Sequence, residues 1–483
     1  MPTRVVEPYL FVIFGASGDL VSLKLLPAVY RLSQQGSIRG QHRILGAART
    51  EYSDESFREF AIKALREDGI DDADAAEWCK ETLYYQTMEG SEQQHYQALA
   101  DRIETMEREA NLPGNRVFYL AVPPKVFPTI TNGLGQVGLN KGKGWTRLVV
   151  EKPFGWDLPS AEDLNEQIHQ YFSEDQIYRI DHFLGKETVQ NLLVFRFANA
   201  IFESLWNREH VRDIQITVSE GIGIGSRAGY YDNVGAMRDM VQNHLTQILT
   251  LLAMEVPISY EAESIRHEKI KVLRSVAAIQ EEDVVLGQYA AGVVNGEEVP
   301  SYLDEVGKES QTETYIALRL AIDNWRWQGV PFYLRTGKRM PKRLTQITVN
   351  FRRPPVCLFE SLECTDLGND SLVMTLQPDE GFSLYFDVKQ PGEPLRLKNI
   401  PLHFRYQEAF GPLPDAYVTL LLDILTGDQT LFVHADEAEA SWRLYTPLLT
   451  MGLPIHKYAA GSRGPAAADK LLEREGNSWR KIE

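Results

Sequence analysis

The pattern of apolar and polar positions changes character partway along the chain. Tyr9 to Phe14 is an unbroken apolar run, as in a strand buried on both faces, and Leu20 to Gln35 carries apolar residues at helical spacing through Leu20, Leu23, Leu26, Val29 and Tyr30. Arg43 to Ala48 predicts a second strand. Asp54 to Glu67 predicts a helix whose acidic first turn suits the positive end of its dipole. Val117 to Val122, stopped by Pro-Pro, and Thr146 to Val150 supply further strands. This alternation predicts a Rossmann-type α/β domain, a parallel sheet with helices on both faces.

Beyond about Gly185 the period shifts. Val211 to Glu220 alternates with period two, Asp232 to Glu255 predicts one long helix, and Gln346 to Phe351 and Phe382 to Val388 alternate again. A larger α+β domain with a mostly antiparallel sheet follows from this. The expected division is 1–182 and 183–483. The tail from Ala459 is polar and glycine-rich at first, with a short helical pattern near Asp469 to Glu475, and is expected to be peripheral.

Composition narrows the class. A chain of 483 residues, 43% hydrophobic and 24% charged, has room for two or three domains and excludes disorder as the dominant state. The best apolar stretch, Leu245 to Val256, is broken by Thr246, Gln247, Thr250 and Glu255 and falls short of the ~20 residues of a membrane span. The first apolar run leads into a glycine turn rather than a small-residue cleavage site, which favours a cytoplasmic address over secretion. Cys79, Cys357 and Cys364 form neither a metal-ligand spacing nor an even disulfide framework, as suits a reducing compartment. A formal charge of −17 argues against a nucleic-acid partner. Within this acidic chain, RTGKRMPKR from Arg335 to Arg343 concentrates five bases. Two readings stay open for it, a solvated turn and a small-anion site.

Gly15 to Leu25, GASGDLVSLKL, stands at the end of the first strand. Glycines at 15 and 18 allow a sharp turn through Ala16 and Ser17, and a helix opening near Asp19 or Leu20 offers N–H groups to a pyrophosphate. Ser17 replaces the central glycine of the common fingerprint, so the context of strand, turn and helix carries the reading; an ordinary tight turn is the alternative. Arg49, after the second strand, suits a 2′-phosphate and favours NADP, while nearby Glu51 leaves NAD open. Gly221 to Gly229, GIGIGSRAG, is richer in glycine but follows an alternating strand without opening a helix, and is expected to be a loop.

Four segments together resemble the glucose-6-phosphate dehydrogenase family: GASGDL with Lys24, EKPFG from Glu151, RIDHFLGKE from Arg179, and DMVQNH from Asp239. The resemblance spans nearly the whole chain. It implies oxidation of glucose 6-phosphate at C1 by NADP, with NAD possible, in the first step of the oxidative pentose phosphate pathway. No metal is called for, and a homodimer or homotetramer is implied. By the same resemblance His244 is the base and Asp181 its orienting carboxylate, although a histidine on this apolar helical stripe would, by itself, read as a core residue. His182 and Lys186 are implied phosphate ligands, with Lys338 and Arg343 as further substrate contacts. Glu220 and Asp239 are implied sugar ligands, and Lys152 touches both sugar and nicotinamide. Lys24 is either a cofactor contact or an exposed helix lysine, and Pro153 is expected to fix a turn through a cis bond. Asp239 lies about 140° from His244 on a regular helix, so direct pairing with that ring is not expected. Phe183 stands where the family usually has Tyr. A dehydrogenase of unphosphorylated aldoses and a catalytically silent NADP-binding regulator are the rival readings.

Overall fold

In the computed structural model, residues 6–34, 41–88, 90, 92–356, 369–393 and 395–482 are described; Gln35, Cys357 and Cys364 lie outside them. Six parallel strands form the first sheet: β1 (Tyr9–Phe14), β2 (His42–Ala48), β3 (Leu83–Thr87), β4 (Arg116–Leu120), β5 (Thr146–Glu151) and β6 (Ile177–Ile180), in the order β3-β2-β1-β4-β5-β6. Both faces are covered, which is why β1 and β4 are buried along their whole length. The strand order reverses at β1 and β4, and in doubly wound sheets that switch point is where ligands bind. The helix predicted over Asp54–Glu67 is present with those bounds, capped by Ser53 in a reciprocal capping box with Ser56.

The second sheet has nine strands. Along the chain they are β7 (Val211–Ser219), β8 (Val284–Ala290), β11 (Tyr315–Ala321), β12 (Pro331–Gly337), β13 (Leu344–Phe351), β14 (Ser371–Gln377), β15 (Gly381–Lys389), β16 (Leu397–Arg405) and β17 (Ile455–Ala459). The short hairpin β9 (Gly292–Val294) and β10 (Glu297–Val299) stands apart. The order β16-β15-β14-β13-β7-β12-β11-β8-β17 is antiparallel except at β7·β12 and β8·β17.

The chain divides into two units: one runs to Lys186 and takes in Ser259–Arg266 and Pro414–Glu439, and the other holds the remainder. Two expectations need correction. The tail is not peripheral, because Leu471 and Leu472 are buried beside Tyr315 and Tyr458, and the Ser478 and Arg480 carbonyls accept from Gln215 and Arg335 of the second sheet, each at 2.9 Å. Polar composition hid this, since a few apolar residues suffice to seat a short segment. Nor is Asp232–Glu255 one α-helix: Met237–Leu245 is π-helical, and only Thr246–Ala253 continues as α-helix. Among the described residues no helix is long and apolar enough to cross a membrane.

Candidate active site

The glycine turn follows β1 directly at the switch point. Gly15 has φ +81°, and a Cβ there would overlap the Ala121 carbonyl oxygen. Gly18 donates to the Gly15 carbonyl at 3.0 Å, closing the turn, and helix begins at Asp19. At Gly46 a Cβ would lie 2.7 Å from the Phe57 ring and 2.9 Å from the Ala16 Cβ, so helix Asp54–Glu67 and the turn both press against β2. Ser17 Oγ lies 2.9 Å from Thr50 Oγ1, which ties the exposed loop carrying Arg49 to the turn. These are the features a dinucleotide needs, a backbone cradle without side chains followed by a helix start.

Beyond the turn the apolar register departs from expectation. Val21–Leu25 is π-helical, which rotates the inward face so that Val21 and Leu25 are buried while Leu23 is 61% exposed. Lys24, in this stretch, donates to Asp415 Oδ2 at 2.8 Å, the capping carboxylate of helix Ala416–Thr426.

The same unit carries Lys152, Asp181, His182 and Lys186. The Lys152–Pro153 bond is cis. Just before it, the Glu151 carboxylate accepts from Tyr119 Oη at 2.5 Å and from Tyr417 Oη at 3.2 Å, and burial raises its pKa. The sequence offers one signal for Glu151, a charge that ends the apolar run TRLVVE. Asp181 is buried and its Oδ1 accepts from Phe183 N at 3.0 Å. Phe183 then serves as a hub: the Lys186 ammonium lies 4.1 Å from its ring centroid, and the His182 ring stands edge-on at 5.1 Å.

Glu220, Asp239, His244, Lys338 and Arg343 belong to the second unit. Lys338 Nζ donates to Glu220 Oε2 at 2.7 Å and lies 4.9 Å from the centroid of the buried Tyr231 ring. Its backbone is pinned as well, N–H to the Thr314 carbonyl at 2.9 Å and C=O to Tyr458 Oη at 2.7 Å. His244 is 1% exposed and shares the π-helical stretch with Asp239. Because π hydrogen bonding closes on i+5, residues 239 and 244 occupy neighbouring turns on one face. The separation expected from a regular helix therefore does not apply.

The basic run splits. Arg335 is buried and donates to Thr217 Oγ1 at 3.0 Å, Arg339 pairs with Glu305 at 2.7 Å, and Arg343 is exposed and reaches Gln377 at 3.2 Å. A solvated turn does not describe the whole run, because β12 is buried along its whole length and takes Arg335 with it. The glycine-rich run Gly221 to Gly229 does open a helix, contrary to expectation: Gly225–Arg227 is a 3-10 turn leading into the short helix Ala228–Tyr231, and the N–H groups of Ile224 and Gly225 donate to the Glu305 carboxylate at 3.0 and 3.1 Å. Its resemblance to a phosphate loop is thus answered from within the chain.

A doubly wound parallel sheet with a glycine cradle at its switch point, continued in the same chain by a mixed sheet, defines a dinucleotide-binding oxidoreductase. Residues 12–191 match the model of the glucose-6-phosphate dehydrogenase NAD binding domain, and residues 193–480 match that of the glucose-6-phosphate dehydrogenase C-terminal domain. The chain belongs to the glucose-6-phosphate dehydrogenase family. It is 46% identical over 482 residues to the glucose-6-phosphate 1-dehydrogenase of Aggregatibacter actinomycetemcomitans, covering 97% of each chain, and 43% identical to that of Chlamydia pneumoniae, covering 99% and 97%. A solved glucose-6-phosphate dehydrogenase in complex with its substrate glucose-6-phosphate superposes with a TM-score of 0.91 at 37% identity, covering 100% of both chains. Membership makes the chain an enzyme whose cofactor is a nicotinamide dinucleotide, NADP in this family.

Proposed function

We infer that the chain oxidises glucose 6-phosphate at C1, using NADP and forming 6-phosphoglucono-1,5-lactone and NADPH. RIDHFLGKE carries this reading: it stands intact in a chain that matches the family over both of its domains. Bound at the glycine cradle, NADP supplies the hydride acceptor. Gly15, Ala16, Ser17, Gly18, Asp19 and Leu20 receive the pyrophosphate, and Arg49 meets the 2′-phosphate. Lys24 supports that site through its charge. His182 and Lys186 hold the sugar phosphate by charge-assisted bonds, with Lys338 and Arg343 as further donors. Glu220 and Asp239 accept from sugar hydroxyls, and Lys152 orients the reacting end. His244 takes the O1 proton, and Asp181 is the carboxylate that favours the charged ring. The functional division falls at 182/183, and the enzyme works in the cytosol as a homodimer or homotetramer.

The test is product analysis of the whole chain with glucose 6-phosphate and NADP, with NAD in parallel. One NADPH per sugar consumed, and an aldonic acid product that retains its phosphate, is the expected result. Binding of NADP without NADPH formation would instead establish the silent-regulator reading.

A further inference from the structure

A π-helical stretch starts with backbone N–H groups that have no partner inside it, as an α-helix does. Short polar side chains just before a helix normally meet that need. For Met237–Leu245 the partner comes from 76 residues away: Met237 N donates to Glu313 Oε1 at 2.9 Å, and Ala236 N donates to the Glu313 carbonyl at 3.0 Å. A local cap ends a helix, whereas a distant cap also fixes where the helix lies. The approach is close and favours glycine at residue 235, since Gly235 has φ +72° and a Cβ there would press on the Glu313 carboxylate. The next residue, Thr314, accepts from Lys338 N at 2.9 Å, and Lys338 holds Glu220. Two adjacent residues thus join the stretch bearing Asp239 and His244 to the turn bearing Lys338.

We propose that Glu313 is a positioning residue for the reaction, its carboxylate fixing the N-terminal end of the π-helical stretch and thereby the placement of Asp239 and His244. The proposal rests on the roles given above to those two residues. Burial raises the Glu313 carboxyl above its ordinary value, while the N–H of Met237 acts in the opposite sense. Met237, Arg238 and Glu313 also border a cavity of about 440 Å³. Water can enter there when the carboxylate is removed, so the fold survives and the placement is lost.

Glu313→Ala is expected to lower kcat for glucose 6-phosphate by roughly tenfold or more while KM for NADP stays within about twofold. Glu313→Gln, whose amide oxygen still accepts from Met237, keeps kcat within about threefold. Gly235→Ala, which drives a methyl group into the carboxylate, gives the same loss as Glu313→Ala. Hydrogen exchange of amides 237–245 reads the anchoring independently of activity: protection falls in Glu313→Ala and returns in Glu313→Gln. Parental kcat and parental exchange in Glu313→Ala would overturn the proposal, as would equal impairment of the Ala and Gln variants. If the parent chain forms no NADPH from glucose 6-phosphate, the functional reading falls, and exchange alone then decides: unchanged protection overturns the anchoring and lost protection upholds it.

Discussion

The two π-helical stretches are held in opposite ways. Val21–Leu25 grows out of the glycine turn near the surface, with Leu23 exposed and Lys24 in an ion pair whose side chains are 47% and 32% exposed. Met237–Leu245 is buried along most of its length and is capped by a distant carboxylate. The first has its side-chain partner at the surface, so loss of that partner is expected to cost little. The second depends on tertiary structure, so small changes in its surroundings reach the residues it carries.

The largest expected effect lies on the buried stretch. His244→Asn should lower turnover by roughly 10²-fold or more while glucose 6-phosphate binding, read by calorimetry, stays within a few-fold. On the surface stretch, the backbone leading into it matters more than its side chains. Gly15→Ala forces an L side chain into positive φ against the Ala121 carbonyl and should weaken NADP binding by about tenfold.

A smaller effect tests the buried cap through pH. The raised carboxyl of Glu313 faces Met237 N, with Arg238 and Tyr231 as the charged and titratable groups near it. A carboxyl whose folded pKa exceeds its ordinary 4.5 contributes stability below that pH and loses it as pH rises through the folded value. Glu313→Gln carries no charge to bury, so its thermal midpoint at pH 7 should equal or exceed the parent's, and the difference should close below pH 4.5. The smallest effect belongs to Lys24→Ala: a change below about 1 kcal/mol in denaturant unfolding, because exposed ion pairs contribute little, and less than about threefold in KM for NADP. A large loss there would contradict the contrast between the two stretches.

What could be read from sequence follows the same division. β1 and helix Asp54–Glu67 were legible because burial on both faces and a capped amphipathic repeat leave local signatures. β3 and β6, five and four residues long, leave no such signature, because short runs such as IYRI carry no period of their own. The π register of Met237–Leu245 was invisible because apolar spacing was matched to a repeat of 3.6 residues. Glu313 could not be found at all, since its partner lies 76 residues away. RIDHFLGKE and three further segments carry the family resemblance in residue types alone, but the edge-on packing of His182 on Phe183 and the Lys186 ammonium over that ring needed coordinates.

The central claim, that this chain selects a phosphorylated sugar for oxidation, is tested most directly by comparing kcat/KM for glucose 6-phosphate and free glucose in the parent and in Lys186→Ala. The account predicts a preference for glucose 6-phosphate of roughly 10³-fold or more in the parent, falling by at least about tenfold in the variant as the charge-assisted contact is lost. Equal use of the two sugars by the parent, or a preference unchanged in Lys186→Ala, would contradict it.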